Sequence, residues 1–390
     1  MRILCSGDHH WDEHRRFDEC VRIHEWQVDV ARRERIDLFL SSGDIYEGAS
    51  TPIERQAVAR SWLQPMAEIC PVVISKGNHD RERDCWLLGR LKTRHPLIVE
   101  EQASVHHVAG AAVAAVAWPD RASIAASVQA AGVSVDDAAR DAFRTLLLGL
   151  AQQLAEHDGP RIGLGHFMVD GSVVSTGQPL LGMPLNLGLS DLALLGAPLV
   201  ICGHIHKAQE WRFGDSHILY TGSPFRTDFG QLEEKSVTIA EFDGPRLVSV
   251  IRLATPATKM IHLEDEWGVA DSVNGGRPCW LVGDGDPDDF PGAEIRFRYH
   301  VANDQRAAAK AAAAAMKLDL LNNYGAVDVK LEEVVITTSR ARAPEIAAAT
   351  NLSDKLCALW TSRGDDLPEE RRARLLGKVA TLEVEANDAA

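Results

Sequence analysis
Short apolar runs and longer polar stretches alternate along the first half of the chain, with the same punctuation between them. Each apolar run reads as a buried strand and ends at a polar residue or pair, mostly after a glycine. Residues 1 to 7 give the first strand, followed by Asp8-His9-His10. On an extended segment Asp8 and His10 face one way and His9 the other. Phe17, Val21, Trp26 and Val30 then recur at roughly helical spacing among Arg and Glu, which predicts a helix over 14–35 with Trp26 exposed among charges. Ile36 to Leu40 is the next strand, closed by Ser41-Ser42-Gly43-Asp44. A second helical pattern covers 53–70, and Val72-Val73-Ile74 leads to Lys76-Gly77-Asn78-His79-Asp80. This strand–helix–strand–helix–strand order predicts an α/β sheet, in which ligands bind at the carboxyl ends of the strands.

Further along, residues 81–95 set five cations (Arg81, Arg83, Arg90, Lys92, Arg94) against Glu82 and Asp84. They read as a solvated helix face near 84–95, or as a phosphate-facing rim beside the strand ends. Alternation over Val105–Val116 suggests short strands, and a helix is expected over 134–157. Ile162-Gly163-Leu164-Gly165-His166 is another strand ending in Gly-His. A long loop over 170–190 leads to a short helix, Ser190–Leu195. Pro198-Leu199-Val200-Ile201 runs into Cys202-Gly203-His204-Ile205-His206, and residues 217–252 hold strand patterns. Ala254 to Lys259 reads as a linker, after which the texture changes. A strand over Glu294–Val301, an alanine-rich helix over Asp304–Leu321 and a strand over Val327–Ile336 are predicted. Two amphipathic helices follow within 352–385, after a linker-like Ala341-Arg342-Ala343-Pro344 and parted by Gly364-Asp365-Asp366-Leu367-Pro368. Leu352, Leu356, Leu359 and Trp360 make one apolar stripe; Leu375, Leu376, Val379 and Leu382 make the other.

The 390 residues suffice for two or three domains and a large core. With 45% apolar and 25% charged residues the composition is that of a globular protein. The longest weakly polar run, Val108–Trp118, is too short to span a bilayer. The first residues run straight into a strand pattern without the apolar region of a signal peptide. Seven cysteines without a CxxC pair suit reduced thiols, so a cytoplasmic location and no membrane partner are expected. The net charge of −15 disfavours a free-standing DNA-binding protein.

The strand ends collect Asp8, His10, Asp44, Asn78, His79, His166, His204 and His206. An oxygen and imidazole set without cysteine suits manganese, iron or zinc. Seven ligands exceed one ion but suit two that share a carboxylate. Paired ions about 3.5–4 Å apart clamp the attacking and leaving oxygens of a phosphoryl displacement. Asp44, on the central strand, is the natural bridge. His79, next to the Asn ligand, is placed to face the substrate as a proton donor.

Gly7-Asp8-x-His10, Gly43-Asp44, Gly77-Asn78-His79-Asp80, Gly165-His166 and Gly203-His204-x-His206 resemble the five motifs of the calcineurin-like metallophosphoesterases, over about residues 1–230. Within that superfamily three segments are similar to SbcD-type double-strand-break repair nucleases. They are Ser42-Gly43-Asp44-Ile45-Tyr46-Glu47, His204-Ile205-His206-Lys207-Ala208-Gln209, and Tyr220-Thr221-Gly222-Ser223-Pro224-Phe225-Arg226 with Glu233-Glu234-Lys235. Trp11 and Glu47 depart from the usual residues of that group.

The resemblance implies an α/β two-sheet sandwich over 1–255, a small α+β capping domain over 256–338, and a linker with C-terminal helices over 339–390. It implies two divalent ions, manganese above all. One would be held by Asp8, His10, Asp44 and His206, the other by Asp44, Asn78, His166 and His204, with His79 catalytic. It further implies DNA as substrate, a homodimer within a heterotetramer, and an SbcC-like SMC-type ATPase partner gripped by the C-terminal helices. The alternative is a phosphodiesterase acting on a cyclic nucleotide or nucleotide. A protein phosphatase fits less well, since that group pairs GDxxDRG with GNHE. A non-catalytic scaffold is disfavoured by the intact ligand set.

Overall fold
The computed structural model describes residues 1–119, 135–175, 186–267, 286–336, 346, 349, 351–363 and 367–388. The expected linker at 341–344 and most of the break at 364–368 lie outside these residues, as do residues 176–185 of the long loop in 170–190. In chain order the first sheet's elements are β1 (Arg2–Ser6), α1 (Phe17–Arg33), β2 (Leu38–Ser41), α2 (Pro52–Ala57), a π-helical turn (Val58–Leu63), α3 (Gln64–Ala67), β3 (Val72–Ser75), α4 (Glu82–Leu88) and β4 (Leu97–Glu100). The second sheet begins with β5 (Ala103–Val108) and β6 (Ala111–Val116). Then come α5 (Val135–Ala155), β7 (Arg161–His166), β8 (Met168–Val169), β9 (Asn186–Leu187), α6 (Leu189–Ala193), β10 (Leu199–Gly203), β11 (Gln209–Phe213) and β12 (Ser216–Tyr220). The first sheet is completed by β13 (Ser236–Asp243) and β14 (Arg246–Ala254).

Two six-stranded sheets result, ordered β14-β13-β1-β2-β3-β4 and β11-β12-β10-β7-β6-β5. Strands β1 to β4 run parallel, as do β6, β7, β10 and β12, so their carboxyl ends gather on one edge of each sheet. Alternation within each strand explains why the sheets stack. Ile3, Cys5, Leu38, Leu40 and Val73 join Ile162, Leu164, Leu199 and Ile201 in one core between the sheets. Their neighbours Leu4, Phe39, Val72 and Ile74 face outward onto Ile23, Trp62, Leu63 and Met66 of the first helical layer. Val200 and Cys202 face Phe143, Leu147 and Leu192 of the second. Strands buried on both faces are the continuous apolar runs seen in the sequence. The chain therefore forms the expected α/β two-sheet sandwich.

Local signals set the helix ends. Thr51 and Glu54 form a reciprocal capping box at α2, with Pro52 in its first turn. Asp18 and Glu19 sit in the first turn of α1, and Arg32 and Arg33 in its last, each matching the helix dipole. The helix expected near 84–95 ends instead at Leu88, capped by Gly89. Trp26 is half-buried against the first core rather than exposed. It lies three residues after Ile23 and two before Val28, close enough to the buried face of α1 to be drawn onto it.

Compactness divides the chain into one unit of Met1–Leu263, Val282–Phe297 and Met316–Leu331 and another of Glu264–Leu281, Arg298–Ala315 and Glu332–Ala390. The division runs through a three-stranded sheet of β15 (Met260–Glu266), β16 (Glu294–Ala302) and β17 (Asp328–Ile336), ordered β15-β16-β17. Between the last two strands lies α7 (Arg306–Asn322), the expected alanine-rich helix. In the second unit Arg298 pairs with Glu332 at 3.1 Å, and Arg306 donates to Glu333 at 2.8 Å. Its C-terminal helices, α8 (Leu352–Arg363) and α9 (Glu369–Asp388), pack on each other, with the Arg372 guanidinium over the buried Trp360 ring. No helix among the described residues is long and apolar enough to cross a membrane.

Candidate metal centre
The loops after β1, β2, β3, β7 and β10 meet at one edge of the sandwich. Their backbones are unusual. Asp8, His10, Asp44 and His204 all have positive φ, at 51°, 44°, 50° and 103°. Such conformations cost side-chain-bearing residues about 1–3 kcal/mol and persist only where the surroundings impose them. The imposing bonds are visible. Asp8 and His10 N–H donate to Gly43 O and Asp44 O, both at 3.0 Å, and His204 N–H donates to Asp8 Oδ1 at 2.7 Å. Buried Asp80 accepts from Ile45 N–H at 2.8 Å and Gly77 N–H at 2.9 Å, locking the second loop to the third. Gly77 must be glycine because a Cβ there would run into the Asp44 carboxylate. Gly43, at φ 97°, abuts Gly77 in the same way.

All seven predicted ligands and His79 come together. Asp8, His10 and His206 bring one donor atom each within 4.8 Å of one another, and so do Asp8, Asp44 and His166. His10 Nε2 faces His206 Nε2 at 2.9 Å. Asn78 Oδ1 lies 3.0 Å from His166 Nε2 and 2.9 Å from His204 Nδ1. Asp44 Oδ2 stands between the two sets, 3.2 Å from His166 Nε2 and 3.8 Å from His10 Nε2. His79 N–H donates to the other oxygen of Asp44 at 2.8 Å.

Burial and charge act against each other here. Burial pushes the Asp8 carboxyl up. Burial also opposes the charge on Asp44, but the facing His166 outweighs it and holds that carboxyl low. Burial resists protonation of His166, yet Asp44 and Asp8 win and raise it to about 9. Burial, helped by His166, lowers His204 to about 4. Burial and the neighbouring His10 push His206 well down. His204 and His206 are thus held neutral, the form that offers a lone pair.

The ring nitrogens turned away from the centre have neighbours too. His166 Nδ1–H donates to Ser42 O at 2.7 Å, and His10 Nδ1 makes a close charge contact with Glu47 Oε2 at 2.7 Å, off hydrogen-bond alignment. His206 Nδ1 meets the Gln231 amide at 2.8 Å. His79 Nδ1–H donates to Glu47 O at 2.7 Å, which leaves Nε2 for a substrate. Its ring stands edge-on to His10 at 4.9 Å. Lys235, buried at 2% exposure, donates to His206 O and to Ser223 Oγ, both at 3.0 Å, and pairs with Glu233 at 2.6 Å. Sequence reasoning noticed Lys235 only as a likeness and missed Gln231. No periodicity or spacing links either residue to His206.

A cavity of about 1020 Å³ lies beside Asn78, lined by Lys76, Arg81, Gln102, Trp118 and Phe143. The Trp118 ring lies against His204 at 4.8 Å. A smaller one of about 260 Å³ is lined by His10, Arg15, Glu47, His79, His206 and Thr227.

The sequence matches the calcineurin-like phosphoesterase family over residues 1–208. The chain belongs to that family. Solved structures similar to it include GAP50, the anchor in the inner membrane complex of Plasmodium, at 15% identity and TM-score 0.40, covering 65% of this chain and 89% of that one. A dimetal phosphatase from Danio rerio shares 13% identity at TM-score 0.41, covering 65% and 96%. An archaeal phosphodiesterase shares 12% at TM-score 0.33, covering 65% and 100%. None of the curated proteins matches the chain.

The family fold works with divalent metals, and the donor set fits them. Asp8 Oδ2 is buried without a hydrogen-bond partner among the protein atoms, although its sister oxygen is paired. A buried carboxylate oxygen left so is costly unless a cation meets it. His10 and His206 likewise turn ring nitrogens toward the same point, 2.9 Å apart, where at least one of the two offers a lone pair. The enzyme is therefore of the metal-dependent phosphoester hydrolase class.

Proposed function
We propose that the chain is a two-metal DNA nuclease of the SbcD type, cutting duplex ends as an exonuclease and single strands as an endonuclease. In this reading Asp8, His10, Asp44 and His206 hold one ion and Asp44, Asn78, His166 and His204 the other, with manganese preferred. The pair of ions would polarise the phosphodiester and supply an activated water. The residues do the rest. His79 Nδ1–H is fixed by Glu47 O, so Nε2 can hold a proton for the leaving oxygen or steady its charge. Asp44 keeps the His79 backbone in place through one oxygen and serves the centre with the other.

The observation that carries the nuclease reading is Lys235. Lys235, of the segment that makes the sequence similar to SbcD-type enzymes, is buried beneath His206 and holds its carbonyl, with the half-buried Glu233 paired to it. The likeness therefore reaches into the site itself. The small α/β region after residue 256 and the terminal helices also suit a macromolecular substrate and a partner better than a small ester. The acidic net charge is offset locally, since two ions would add four positive charges.

The test is manganese-dependent degradation of linear duplex DNA measured beside hydrolysis of a cyclic nucleotide. Cleavage of DNA with little action on the cyclic nucleotide is expected. The reverse result would install the second reading, a small-nucleotide phosphodiesterase, which the cavity beside Trp118 favours.

Partners follow from the same reading. An SbcC-like ATPase would be bound by α8 and α9, whose Leu352 remains 49% exposed. Removing residues 346–390 should keep cleavage of single strands and abolish co-purification with that ATPase. Retained co-purification, or aggregation of the shortened chain, would count against it. A two-fold dimer through the α1 and α4 region is proposed, with Trp86 half exposed under the Arg90 guanidinium at 3.8 Å. Sedimentation as a monomer at micromolar concentration would exclude it.

A further inference from the structure
The outer nitrogens of three site histidines meet different chemistry. His166 Nδ1 faces a carbonyl, Ser42 O, at 2.7 Å. His10 Nδ1 faces a carboxylate, Glu47 Oε2, at 2.7 Å. Both partners accept hydrogen and never donate it once the carboxyl is ionised, so each favours a hydrogen on Nδ1 and a lone pair on Nε2. His206 differs. Its Nδ1 faces the side-chain amide of Gln231 at 2.8 Å, and an amide has one end of each kind. His206 is the site imidazole whose tautomer its neighbour does not dictate by kind.

The amide's surroundings favour one orientation, with its nitrogen toward His206. The end that faces His206 also lies 2.8 Å from Thr227 Oγ1 and 3.4 Å from Asp228 Oδ2. The threonine hydroxyl can donate to an oxygen there or accept from a nitrogen. Asp228 favours the nitrogen. At the other end stand Ser223 Oγ at 3.4 Å, which can accept or donate, and Thr227 N–H at 3.3 Å, which only donates. Gln231 is 4% exposed, and His206 is fixed from behind by Lys235. Neither can move aside to escape the choice. For His206 Nε2 to offer a lone pair beside Asp8 and His10, Nδ1 must carry the hydrogen and Gln231 must present its oxygen.

We propose that Gln231 is a positioning residue that sets the tautomer of His206, and through it the affinity of the ion at Asp8, His10 and His206, separately from the other ion. Asp228 and the Thr227 N–H both favour the amide nitrogen toward His206, so this half of the centre gains its lone pair only when the amide presents its oxygen instead, and that makes it the adjustable half. The other half is anchored to a backbone carbonyl that no side-chain substitution alters. The inference rests on the centre holding two divalent ions.

The test compares the whole chain with Gln231→Glu, Gln231→Met and Asp228→Ala, read by chelator competition for zinc and by nitrogen NMR of labelled histidine in the zinc-loaded protein. Gln231→Glu keeps a purely accepting group and should bind the first ion as tightly as the parent or tighter, with hydrogen on His206 Nδ1. Gln231→Met offers Nδ1 no acceptor and should hold that ion alone about 10–100-fold more weakly than Gln231→Glu does, as for other lost partners of metal-bound histidines. Asp228→Ala decides between tautomer and bulk charge. It removes the contact that favours the nitrogen, so the ion should bind no more weakly, whereas a charge effect alone would loosen it. Equal loss in the Glu and Met variants, loss of both ions together, or weakening in Asp228→Ala overturns the proposal. Thermal midpoints of the chelated variants separate misfolding from these outcomes. A parent chain that takes up no zinc would overturn the metal centre as well, whereas a parent with two ions and a Met variant that binds as tightly as the Glu variant overturns the role of Gln231 alone.

Discussion

Two histidine clusters lie back to back in this protein, and adjacent residues belong to different ones. His9 is buried with His24, Trp62 and Ser41; His10 is buried with His206, Asp44 and His79. Burial alone does not distinguish them, since both rings are less than a tenth exposed. What differs is how their nitrogens are used. In the first cluster every ring nitrogen has a protein partner, and the roles close on themselves. His24 Nδ1–H donates to Cys20 O at 2.6 Å, His9 Nδ1–H donates to His24 Nε2 at 2.8 Å, and Ser41 Oγ–H donates to His9 Nε2 at 3.0 Å. Burial holds both rings neutral, with His24 at about 3. In the second cluster ring nitrogens face one another and carboxylate oxygens across shared points, with Asp8 Oδ2 left without a partner, from a backbone held in left-handed conformations. A closed chain of hydrogen bonds makes a histidine structural; converging, unspent donors make it functional.

The contrast is open to direct attack, and the largest effect should come from its sharpest member. Asp44→Ala should strip both ions and essentially all cleavage while circular dichroism still reports the fold. Metal analysis that finds two ions per chain would remove Asp44 from its bridging place. Next, His79→Ala should keep both ions and DNA binding but lose about 10²–10⁴-fold in turnover, as expected for a lost proton donor. If metal leaves with the side chain, His79 is a ligand after all. The structural cluster should respond in the opposite sense. His24→Leu leaves the His9 Nδ1–H buried without an acceptor and should lower stability by about 1–3 kcal/mol, with two ions still bound. A drop in metal content without a drop in the denaturation midpoint would dissolve the distinction. Smallest of all, Ser41→Ala removes one donor to His9 and should cost about 0.5–1.5 kcal/mol in denaturant titration, with turnover unaltered.

Much of this was readable in the residues. The strands announced themselves as doubly apolar runs, because they are buried on both faces. The polar residues at their ends announced the site, because a parallel sheet delivers its carboxyl ends to one edge. His9 was assigned away from the site on the assumption of an extended backbone, and it does point away. The reason is different, however. β1 ends at Ser6, and Asp8 and His10 take left-handed turns that side-chain spacing cannot express. The helix after His79 was drawn too long because charge continues to Arg94 while the backbone turns at Gly89. Trp26 was placed in water because its immediate neighbours are charged, yet its indole packs on the core. Strands β4 and β15 were not foreseen, being a short run before acidic residues and a polar run after a linker. Gln231 was invisible because its partner lies 25 residues away, across the β11–β12 hairpin.

The order of strands also bears on the life of the chain as it is made. β1 lies between β2 and β13, and its second partner is Ser236–Asp243. The proposed ligands extend from Asp8 to His206 in the same way. Contacts so far apart in sequence form late, since the long loop between them must first be closed. Neither the first sheet nor the metal centre can be finished while the chain is still half synthesised. Phosphoester hydrolysis at this centre would thereby be withheld until the whole sandwich has assembled.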